Sequence, residues 1–327
     1  MREARTVRKR ESRLVIIYGP TATGKTDLAI NLAKKYSGEI ISADSRQVYR
    51  GLDIGTGKVS FDSKVKKQEG YWIVDDVRIN GFDLVTPGQQ FTAADFLKFA
   101  NTSMARITKA GKLPIVVGGT GFYVKALLEG INSLGIPANQ RLRRKLEKRT
   151  TDELARELEK VSPQRAHFMN ESDRKNPRRL IRAIEIALSS KKKLLPTTNY
   201  QPLTTNYLLI GLTAANEYLY RRVDNWLKTR LEKGMIDEVG NLIKNGTDPH
   251  WLENLGLEYR WATRIVLGKI PKDQAIERLR GDIHNFIRRQ KTWFKKLKGI
   301  KLYNISTKNW QQELEKIVKD WYNQGND

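Results

Sequence analysis

Short apolar runs that end at glycine or at polar residues mark the strands of this chain of 327 residues. The runs RLVIIYG at 13–19, GEIISADS at 38–45 and KLPIVVGGTG at 112–121 contain β-branched residues and predict strands, the second ending at Asp44 and the third at the pair Gly118–Gly119. Apolar residues at helical spacing follow the first run over 25–36, and another helix is expected after the third run. NYLLIGLT at 206–213 has the pattern of a strand that returns to the same sheet. This alternation of strands and helices predicts a parallel, doubly wound α/β sheet.

The pattern changes after about residue 132, where strand-like runs stop and charged helix formers take over. Residues 138–195 contain almost only such residues, so we predict helices there. The predicted divisions of the chain are a basic tail over 1–13, a core over 14–131 and 200–327, and a helical insertion domain over 132–199. In the second part of the core we expect amphipathic helices, then a last strand in GIKLYNIS and a terminal helix in WQQELEKIVKDWYNQ.

The composition narrows the class of partner. The formal net charge of +24 favours binding of a polyanion such as nucleic acid, although a lysine-rich proteome that keeps its proteins soluble would also explain it. The chain has no cysteine and three separated histidines, which excludes disulfides and thiolate zinc sites and argues against a transition-metal cluster. The first apolar run is too short for a signal peptide, and no run approaches the length of a membrane span. We therefore expect a cytoplasmic protein.

The segment GPTATGKT directly follows the first predicted strand and precedes the first predicted helix. Its spacing matches a P-loop, in which glycines let backbone N–H groups turn towards phosphate oxygens and the next helix presents its positive end. A lysine adds a full charge, and a threonine hydroxyl can bind Mg²⁺. The predicted diphosphate-binding residues are Gly19, Pro20, Thr21, Ala22, Thr23, Gly24, Lys25 and Thr26, with Thr26 as the Mg²⁺ ligand. The core is therefore expected to be P-loop NTPase-like.

The P-loop alone does not identify the molecule that carries the diphosphate. An ATPase normally also has an apolar strand that ends in a metal-ordering aspartate. Here PIVVGG ends in glycines, and the strand that leads to Asp44 follows the P-loop helix directly. In P-loop nucleotide kinases this second-strand region tends to meet the acceptor substrate. The sequence thus predicts a site for a diphosphate and Mg²⁺, and leaves the molecule open.

Seven motifs resemble those of the tRNA dimethylallyltransferase (tRNA isopentenyltransferase) family and occur in the order in which that family has them. They are GPTATGKT, IISADSRQVYRGLDIGTGK, PIVVGGTGFYVKALLEG, NPRRLIRAIEI, LEKGMIDEV, LGLEY and RRQKTWFKK. They cover most of the chain between residue 14 and about residue 297. Because eukaryotic members often carry a Cys/His zinc finger and this chain has no cysteine, it is similar to the bacterial type.

The resemblance implies a transferase of tRNA processing. It would move a dimethylallyl group from dimethylallyl diphosphate to the exocyclic N6 amine of the adenosine immediately 3′ of the tRNA anticodon, with Mg²⁺ and release of diphosphate. The P-loop would then hold the prenyl donor, the anticodon stem-loop would be the macromolecular partner, and the enzyme would be a monomer. The alternatives are a transferase that acts on free AMP, ADP or ATP, a P-loop kinase, and a P-loop RNA-binding protein without activity.

The resemblance also implies roles at the reacting groups. Asp44 would accept a hydrogen bond and then the proton of the adenine amine, which is a poor nucleophile because its lone pair is delocalised. A helix N-cap or a metal-ordering role is the alternative for Asp44. Lys25, Mg²⁺ and the loop amides would stabilise the leaving diphosphate, and Arg222 would help to hold it. Thr120 matches a family position near the reacting groups and the tRNA, and its alternative is to cap the next helix. The predicted catalytic residues are Asp44, Thr120 and Lys25.

The tRNA contacts are predicted from the matching motifs and from a basic segment late in the chain. Residues 283–312 contain eight lysines or arginines and no acidic residue, with Trp293 and Phe294 among them, which suits backbone neutralisation and base stacking. The alternative for Trp293 is a place in the core. The predicted tRNA-binding residues are Asp44, Ser45, Arg46, Gln47, Thr120, Asn176, Pro177, Arg178, Arg179, Leu180, Gly256, Arg288, Arg289, Gln290, Thr292 and Trp293.

The chain departs from the family pattern at three places. GYWIVDD stands where a histidine pair is common in the family before the acidic residue of the next strand. The other two departures lie close to the motifs. GTGKVS stands where the family usually has GTAKP, and Trp226 stands where the family has the second of two arginines, the first being matched by Arg222. If that second arginine normally helps to hold the diphosphate, this chain must use Arg222, Arg230 or another cation.

Overall fold

The computed structural model describes residues 13–130, 133, 136–191, 206–295, 297 and 299–324. All but the last residue of the predicted basic tail lies outside this part of the chain. The strands are β1 (Arg13–Tyr18), β2 (Gly38–Ser42), β3 (Val65–Gln68), β4 (Tyr71–Val74), β5 (Val77–Asn80), β6 (Leu113–Gly118), β7 (Asn206–Thr213) and β8 (Lys301–Asn304). The helices are α1 (Lys25–Lys35), α2 (Ala93–Lys109), α3 (Gly121–Glu129), α4 (Gln140–Leu146), α5 (Thr151–Val161), α6 (Pro163–Phe168), α7 (Glu171–Arg174), α8 (Pro177–Lys191), α9 (Asn216–Glu232), α10 (Met235–Lys244), α11 (Pro249–Leu255), α12 (Leu257–Val266), α13 (Lys272–Phe294) and α14 (Trp310–Asn323).

The described strands form one sheet in the order β3-β4-β5-β2-β6-β1-β7-β8. From β5 to β8 neighbouring strands run parallel, and Val15 of β1 pairs with Ile115 of β6 on one side and with Leu208 of β7 on the other. Helices connect these strands, so the central strands are buried on both faces, as continuous apolar runs require. The predicted parallel α/β sheet is confirmed, together with all the strands expected from the apolar runs.

The antiparallel edge of the sheet was not predicted. β3, β4 and β5 are strands of four residues joined by tight turns, and each pairs antiparallel with the next. Asp75 and Asp76 have φ angles of 48° and 68° in the turn between β4 and β5, which is the left-handed backbone of a two-residue hairpin loop. Such short strands show too few alternations to stand out in the sequence. β4 and β5 nevertheless bury apolar side chains, since Trp72 is 1% exposed and packs edge-on against Phe82, whereas three of the four residues of β3 are exposed.

Contacts divide the chain into two compact units, one formed by Met1–Leu128 with Leu203–Asp327 and the other by Glu129–Pro202. In the first unit, helices cover the sheet with apolar stripes. Leu28 and Leu32 of α1, Val223 of α9, and Leu279 and Ile283 of α13 all belong to one buried cluster with the central strands. None of the described helices is long and apolar enough to span a lipid bilayer.

The second unit consists of the short helices α4 to α8. A capping box begins α5, in which the Thr150 side chain accepts from the Glu153 amide and the Glu153 carboxylate accepts from the Thr150 amide. Glu185 is nearly fully buried and accepts two hydrogen bonds from the guanidinium of Arg143, both at 2.8 Å. The apolar core contains Leu146, Leu154, Leu158, Ala166, Leu180, Ile181, Ala183 and Ile184.

Candidate active site

Three loops leave the carboxyl ends of neighbouring parallel strands and meet at one cavity. The P-loop at 19–26 follows β1, the segment 43–47 follows β2, and the glycine pair with its threonine at 118–120 follows β6. This edge of a parallel sheet is where ligands of open α/β proteins bind. The cavity has a volume of about 590 Å³, and its lining includes Thr21, Ala22, Gly24, Lys25, Thr26, Asp44, Arg46, Gln47, Gly119, Arg222, Trp226, Arg230 and Glu258.

The P-loop turns into α1 at Gly24, whose φ of 77° lies in the left-handed region that favours glycine. The hydroxyl of Thr23 donates to the carbonyl of Pro20 at 2.9 Å, and Nζ of Lys25 donates to the same oxygen at 2.7 Å. Burial lowers the pKa of Lys25 to about 8, against the opposing attraction of Asp44. The cavity therefore has, at one end, a cationic side chain next to the start of a helix, which is the arrangement that binds phosphate groups.

Asp44 and Thr120 both accept hydrogen bonds from backbone amides of the turn that follows β2. Oδ1 of Asp44 accepts from the Arg46 amide at 2.9 Å, and Oγ1 of Thr120 accepts from the Ser45 amide at 3.0 Å. The chain after β2 forms turns, and the next helix begins only at Ala93, so the alternative of a helix N-cap at Asp44 does not apply. Thr120 stands at the start of α3 with its hydroxyl in contact with the segment that carries Asp44.

Gln290 connects two of the cavity loops from the buried face of α13. Its Oε1 accepts from the P-loop amide of Thr21 at 3.1 Å, and its Nε2 donates to the carbonyl of Gly119 at 3.0 Å. Trp293 packs on the start of α3, where a Cβ on Gly121 would lie 2.4 Å from its ring. Gln290 is 6% exposed and Trp293 is partly exposed. Both residues were predicted to contact tRNA, which stays a prediction; in this structure Gln290 connects the loops at Thr21 and Gly119, and Trp293 contacts the start of α3.

The exposed face of the same helix carries the other predicted RNA contacts. Arg288, Arg289 and Thr292 are exposed on α13. Arg288 donates to the hydroxyl of Tyr220 at 3.4 Å, and the guanidinium of Arg289 lies 5.8 Å from the ring centre of Phe286. This face therefore presents two arginines beside aromatic rings, which is suited to contact with a nucleic-acid backbone.

Arg46 and Gln47 are directed into the protein. Arg46 forms an ion pair with Glu258 at 2.6 Å, in which the carboxylate side chain is only 3% exposed. Burial would lower the pKa of Arg46, but the attraction of Glu258 raises it overall. Oε1 of Gln47 accepts from the Ser42 hydroxyl at 2.7 Å. Glu258 is the second residue of α12, which begins after Gly256 at a φ of 78°. This carboxylate was missed, although it is the acidic residue of the motif LGLEY.

A second missed carboxylate shapes the loop that follows Gln47. Glu238 of α10 accepts hydrogen bonds from three successive amides, those of Asp53 at 2.9 Å, Ile54 at 2.6 Å and Gly55 at 3.1 Å. The hydroxyl of Tyr259 donates to the same carboxylate at 2.8 Å. One side chain therefore fixes the backbone of the motif DIGT. The signal in the sequence was Glu238 itself, one of three acidic residues within LEKGMIDEV.

Lys58 fixes the other end of this loop. Its side chain is 0% exposed, and Nζ donates to the carbonyl of Tyr49 at 2.8 Å, to Asp53 at 2.7 Å and to Asp83 at 2.5 Å. The indole N–H of Trp72 donates to Asp83 at 2.7 Å. Burial alone would raise the pKa of Asp53, but Lys58 and a further lysine hold it below its usual value. Every donor of this buried ammonium therefore has an acceptor.

The contacts predicted in the second unit stand at the start of α8. Oδ1 of Asn176 accepts from the Arg179 amide at 3.2 Å, and Pro177 is the first residue of the helix. Arg178 and Arg179 are exposed. Leu180 is completely buried, so its side chain belongs to the core of this unit and does not lie on a surface that RNA could reach.

One face of α9 forms a wall of the cavity. Residues at intervals of three and four line it, namely Arg222, Asn225, Trp226, Thr229, Arg230 and Lys233. Nε of Arg222 donates to the P-loop carbonyl of Ala22 at 2.7 Å. The guanidinium of Arg230 lies on the ring of Trp226. Arg222 therefore adjoins the P-loop, and its role in holding the diphosphate stays a prediction. Arg230 supplies a second cation further along the helix.

The donor set at the P-loop fits a magnesium ion that is held mainly by a substrate. The described ranges contain no group of three or more histidine, cysteine, aspartate and glutamate side chains that could hold a metal ion. Mg²⁺ commonly takes one or two protein ligands and completes its shell with water and phosphate oxygens. The Thr26 hydroxyl lines the cavity beside Lys25 and suits that kind of binding.

Comparison with known proteins gives a consistent family. Residues 47–297 match the family model described as IPP transferase. The chain is 39% identical over 285 residues to tRNA dimethylallyltransferase 1 of Geotalea uraniireducens, with 87% of this chain and 88% of the relative covered. It is 34% identical over 310 residues to tRNA dimethylallyltransferase of Thermomicrobium roseum, with 94% and 90% covered.

A solved structure agrees with both relatives. The tRNA isopentenylpyrophosphate transferase of Bacillus halodurans superposes with a TM-score of 0.67 at 30% identity, covering 96% of this chain and 98% of that one. The P-loop core, the cavity and the sequence matches thus point in one direction. This chain belongs to the IPP transferase family.

Proposed function

We propose that this protein transfers the dimethylallyl group of dimethylallyl diphosphate to the N6 amine of the adenosine immediately 3′ of a tRNA anticodon. The observation that carries the proposal is that one cavity is lined by both a P-loop and Asp44, in a chain of the IPP transferase family. A site for a diphosphate and a carboxylate for a nucleophile are the two parts that this reaction needs. The relatives named tRNA dimethylallyltransferase support the same assignment. The proposal includes a cytoplasmic, monomeric enzyme, as the family resemblance implies.

The P-loop is the binding site for the donor in this proposal. Its amides, Lys25 and Arg222 would hold the diphosphate, and Mg²⁺ bound through Thr26 and phosphate oxygens would neutralise part of its charge. As the bond between the prenyl carbon and the diphosphate oxygen breaks, the electron pair stays with the oxygen. Cations and amides that are already in place stabilise this charge without reorganisation, which is an effective form of catalysis.

Asp44 is the group that prepares the acceptor. Its carboxylate would accept a hydrogen bond from the adenine amine and raise the electron density on nitrogen. The bond from N6 to the prenyl carbon forms as the carbon–oxygen bond breaks, and the amine proton passes to Asp44. Thr120, which contacts the adjacent Ser45 amide, would keep this turn in place while the adenosine enters from the anticodon loop.

The proposal is tested by offering radiolabelled dimethylallyl diphosphate to the enzyme with unmodified tRNA and with AMP, side by side and with Mg²⁺. Label in the tRNA alone is the expected result. Label in AMP would instead indicate a prenyltransferase that acts on free nucleotides. Absence of label in both, together with thermal stabilisation by ATP but not by dimethylallyl diphosphate, would overturn the proposal in favour of a kinase.

The affinity for dimethylallyl diphosphate is expected to fall as the pH rises through about 8. Lys25 binds the diphosphate in its charged form, and burial lowers its pKa to about 8. If only the charged form binds, the Michaelis constant for the donor rises by about tenfold for each pH unit above that value. The measurement is this Michaelis constant between pH 7 and pH 9.5, at saturating tRNA.

Replacing Lys25 by arginine is the control for the pH dependence, since arginine stays charged over this range. Its profile should be flatter; a wild-type slope in K25R would assign the titration to another group.

The pH dependence of folding stability that Lys25 causes has the opposite sign to that of donor binding. Because folding lowers the pKa of Lys25, the unfolded chain holds this proton more tightly, so this residue makes the free energy of unfolding rise between pH 8 and the usual lysine pKa of 10.5.

Neutralising Arg288 and Arg289 together is expected to weaken the salt dependence of tRNA affinity. Each phosphate contact contributes about 0.7–0.9 to the slope of log affinity against log salt, so the slope should become shallower by roughly 1.5. The measurement is tRNA binding at several salt concentrations. Lys316 and Lys319 are exposed on α14 and provide a matched loss of two charges that should leave the slope unchanged. An unaltered slope in the arginine variant would leave α13 with a structural role only.

A further inference from the structure

Arg230 is a buried cation in the wall of the cavity. The residue is 2% exposed, and Nη1 donates to the carbonyl of Gly55 at 2.7 Å. Among the described residues, no carboxylate oxygen lies within 4 Å of its guanidinium, whose remaining N–H groups can donate further hydrogen bonds. A buried guanidinium is normally paired, because an uncompensated charge is costly to remove from water.

The buried carboxylates near Arg230 are engaged elsewhere. Glu258 forms its ion pair with Arg46, and Glu238 accepts from three backbone amides and the hydroxyl of Tyr259. Burial lowers the pKa of Arg230 to about 9, although Glu258 opposes the change. The protein itself therefore leaves this charge undercompensated, and an anion in the cavity would complete its pairing.

Two of the three departures from the family pattern meet at this guanidinium. Trp226 precedes Arg230 by one helical turn, and its ring supports the guanidinium from one side. On another side, a Cβ on Gly57 would lie 1.3 Å from Nη2 of Arg230 and 3.0 Å from the Trp226 ring. An alanine in the position of Gly57, as in GTAKP, is therefore incompatible with Arg230 where it lies. Gly57, Trp226 and Arg230 therefore lie in mutual contact.

The cavity as a whole is suited to a small polyanion. Besides Arg230, its lining includes Lys25, Arg222 and Lys233, and none of these four cations has a carboxylate oxygen within 4 Å in the described part of the chain. The other two cations of the lining are neutralised, Arg46 by Glu258 and Lys58 by two aspartates. The unpaired charges thus stand on α9 and at the P-loop.

We propose that Arg230, supported by Trp226 and given room by Gly57, binds the diphosphate of the prenyl donor from the wall of the cavity that α9 forms. Arg230 would then supply, one helical turn further along α9, the cation that the family resemblance places at the position of Trp226. The inference rests on the proposed function for the identity of the donor. The recognition of a diphosphate by Arg230 is tested independently of it.

The experiment measures inorganic pyrophosphate binding by calorimetry and the Michaelis constant for dimethylallyl diphosphate with tRNA as acceptor. In R230M, pyrophosphate is expected to bind about 10- to 100-fold more weakly, which is the range for losing one charged hydrogen-bonding partner. The Michaelis constant should rise by a similar factor. R221M removes an exposed arginine of the same helix that does not line the cavity, and it should bind pyrophosphate as the wild type does.

Two further variants separate a binding role from a structural one. The double variant W226R/R230M returns the charge to the earlier turn and is expected to recover most of the pyrophosphate affinity. G57A retains every charge but displaces the guanidinium, so it should weaken pyrophosphate binding, and its folding is checked by thermal unfolding. R230K keeps a charge at this position and serves in place of R230M if that variant does not fold; its flexible ammonium should bind pyrophosphate more weakly than the wild type.

The outcomes distinguish the two hypotheses. Pyrophosphate affinity within twofold of the wild type in R230M, or in both R230K and G57A, would overturn the role of Arg230, even if the enzyme prenylates tRNA. Absence of prenyl transfer by the wild-type enzyme, with pyrophosphate binding lost in R230M, would overturn the proposed function and leave the anion site standing.

Discussion

Prenyl transfer by D44N is expected to be about 10²–10⁴-fold slower than by the wild type, with tRNA affinity almost unchanged. The asparagine side chain has the shape of the aspartate carboxylate. It keeps an oxygen that can accept a hydrogen bond from the backbone N–H of Arg46, which lies 2.9 Å from Oδ1 of Asp44 in the wild type. It cannot take the proton of the adenine amine, so only the chemical step loses its base. The measurement is the single-turnover rate at saturating tRNA and dimethylallyl diphosphate, together with the dissociation constant for tRNA.

The control for this variant is D62N, which removes another carboxylate from the cavity lining. Asp62 is exposed and follows Asp44 by 18 residues in the chain, outside the turn that carries Asp44, so its loss should change the rate by much less than tenfold. If D44N turned over at the rate of the wild type, Asp44 would have no part in proton transfer. If D44N also lost tRNA binding, the aspartate would serve recognition instead.

Replacing Lys58 by methionine is expected to lower the free energy of unfolding by about 3–5 kcal/mol, which is the usual cost of removing one partner from a buried ion pair. Methionine fills a similar volume but leaves Asp53, Asp83 and the Tyr49 carbonyl without their common donor. Both aspartates are partly buried, and their negative charges would then have less positive charge near them. The measurement is denaturant unfolding of K58M and the wild type at neutral pH.

Lys67 offers a matched control, because it also pairs with Asp53, at 2.5 Å, but its side chain is 58% exposed. Exposed pairs contribute about 0–1 kcal/mol, so K67M should remain close to the wild type in stability. Equal losses in K58M and K67M would mean that burial does not determine the strength of this cluster. A stable K58M would show that the aspartates are relieved by protonation or by water.

The sheet could be predicted from the sequence because its strands are buried on both faces. Continuous apolar runs such as the one at 113–118 exist only where helices cover both sides, and the P-loop fixed the order of the first strand and helix. The edge formed by β3, β4 and β5 escaped notice because four-residue strands with polar turns have little pattern of their own. They are strands because of their neighbours: Trp72 is buried by Phe82 and by the core, which no local rule anticipates.

The site was predictable wherever a residue acts through chemistry that its own motif encodes. The P-loop and Asp44 line one cavity, as the motifs suggested. Gln290, Glu238 and Glu258 act through partners about 170–270 residues away in the chain, and nothing in a linear pattern reveals such pairings. A polar residue in a basic segment can equally face RNA or the interior, so the direction of Gln290 had to come from the fold.

The loop held by Glu238 has a consequence for how this protein is made. The amides of Asp53, Ile54 and Gly55 leave the ribosome long before their acceptor does, since 183–185 residues separate them. At about 5–20 residues per second, that interval is roughly 10–40 s. During this time the nascent chain already carries its phosphate-binding motif and Lys58, but it lacks the carboxylate that accepts from the amides of this loop. The enzyme therefore acquires a complete pocket only late in synthesis, and a truncated product cannot form one.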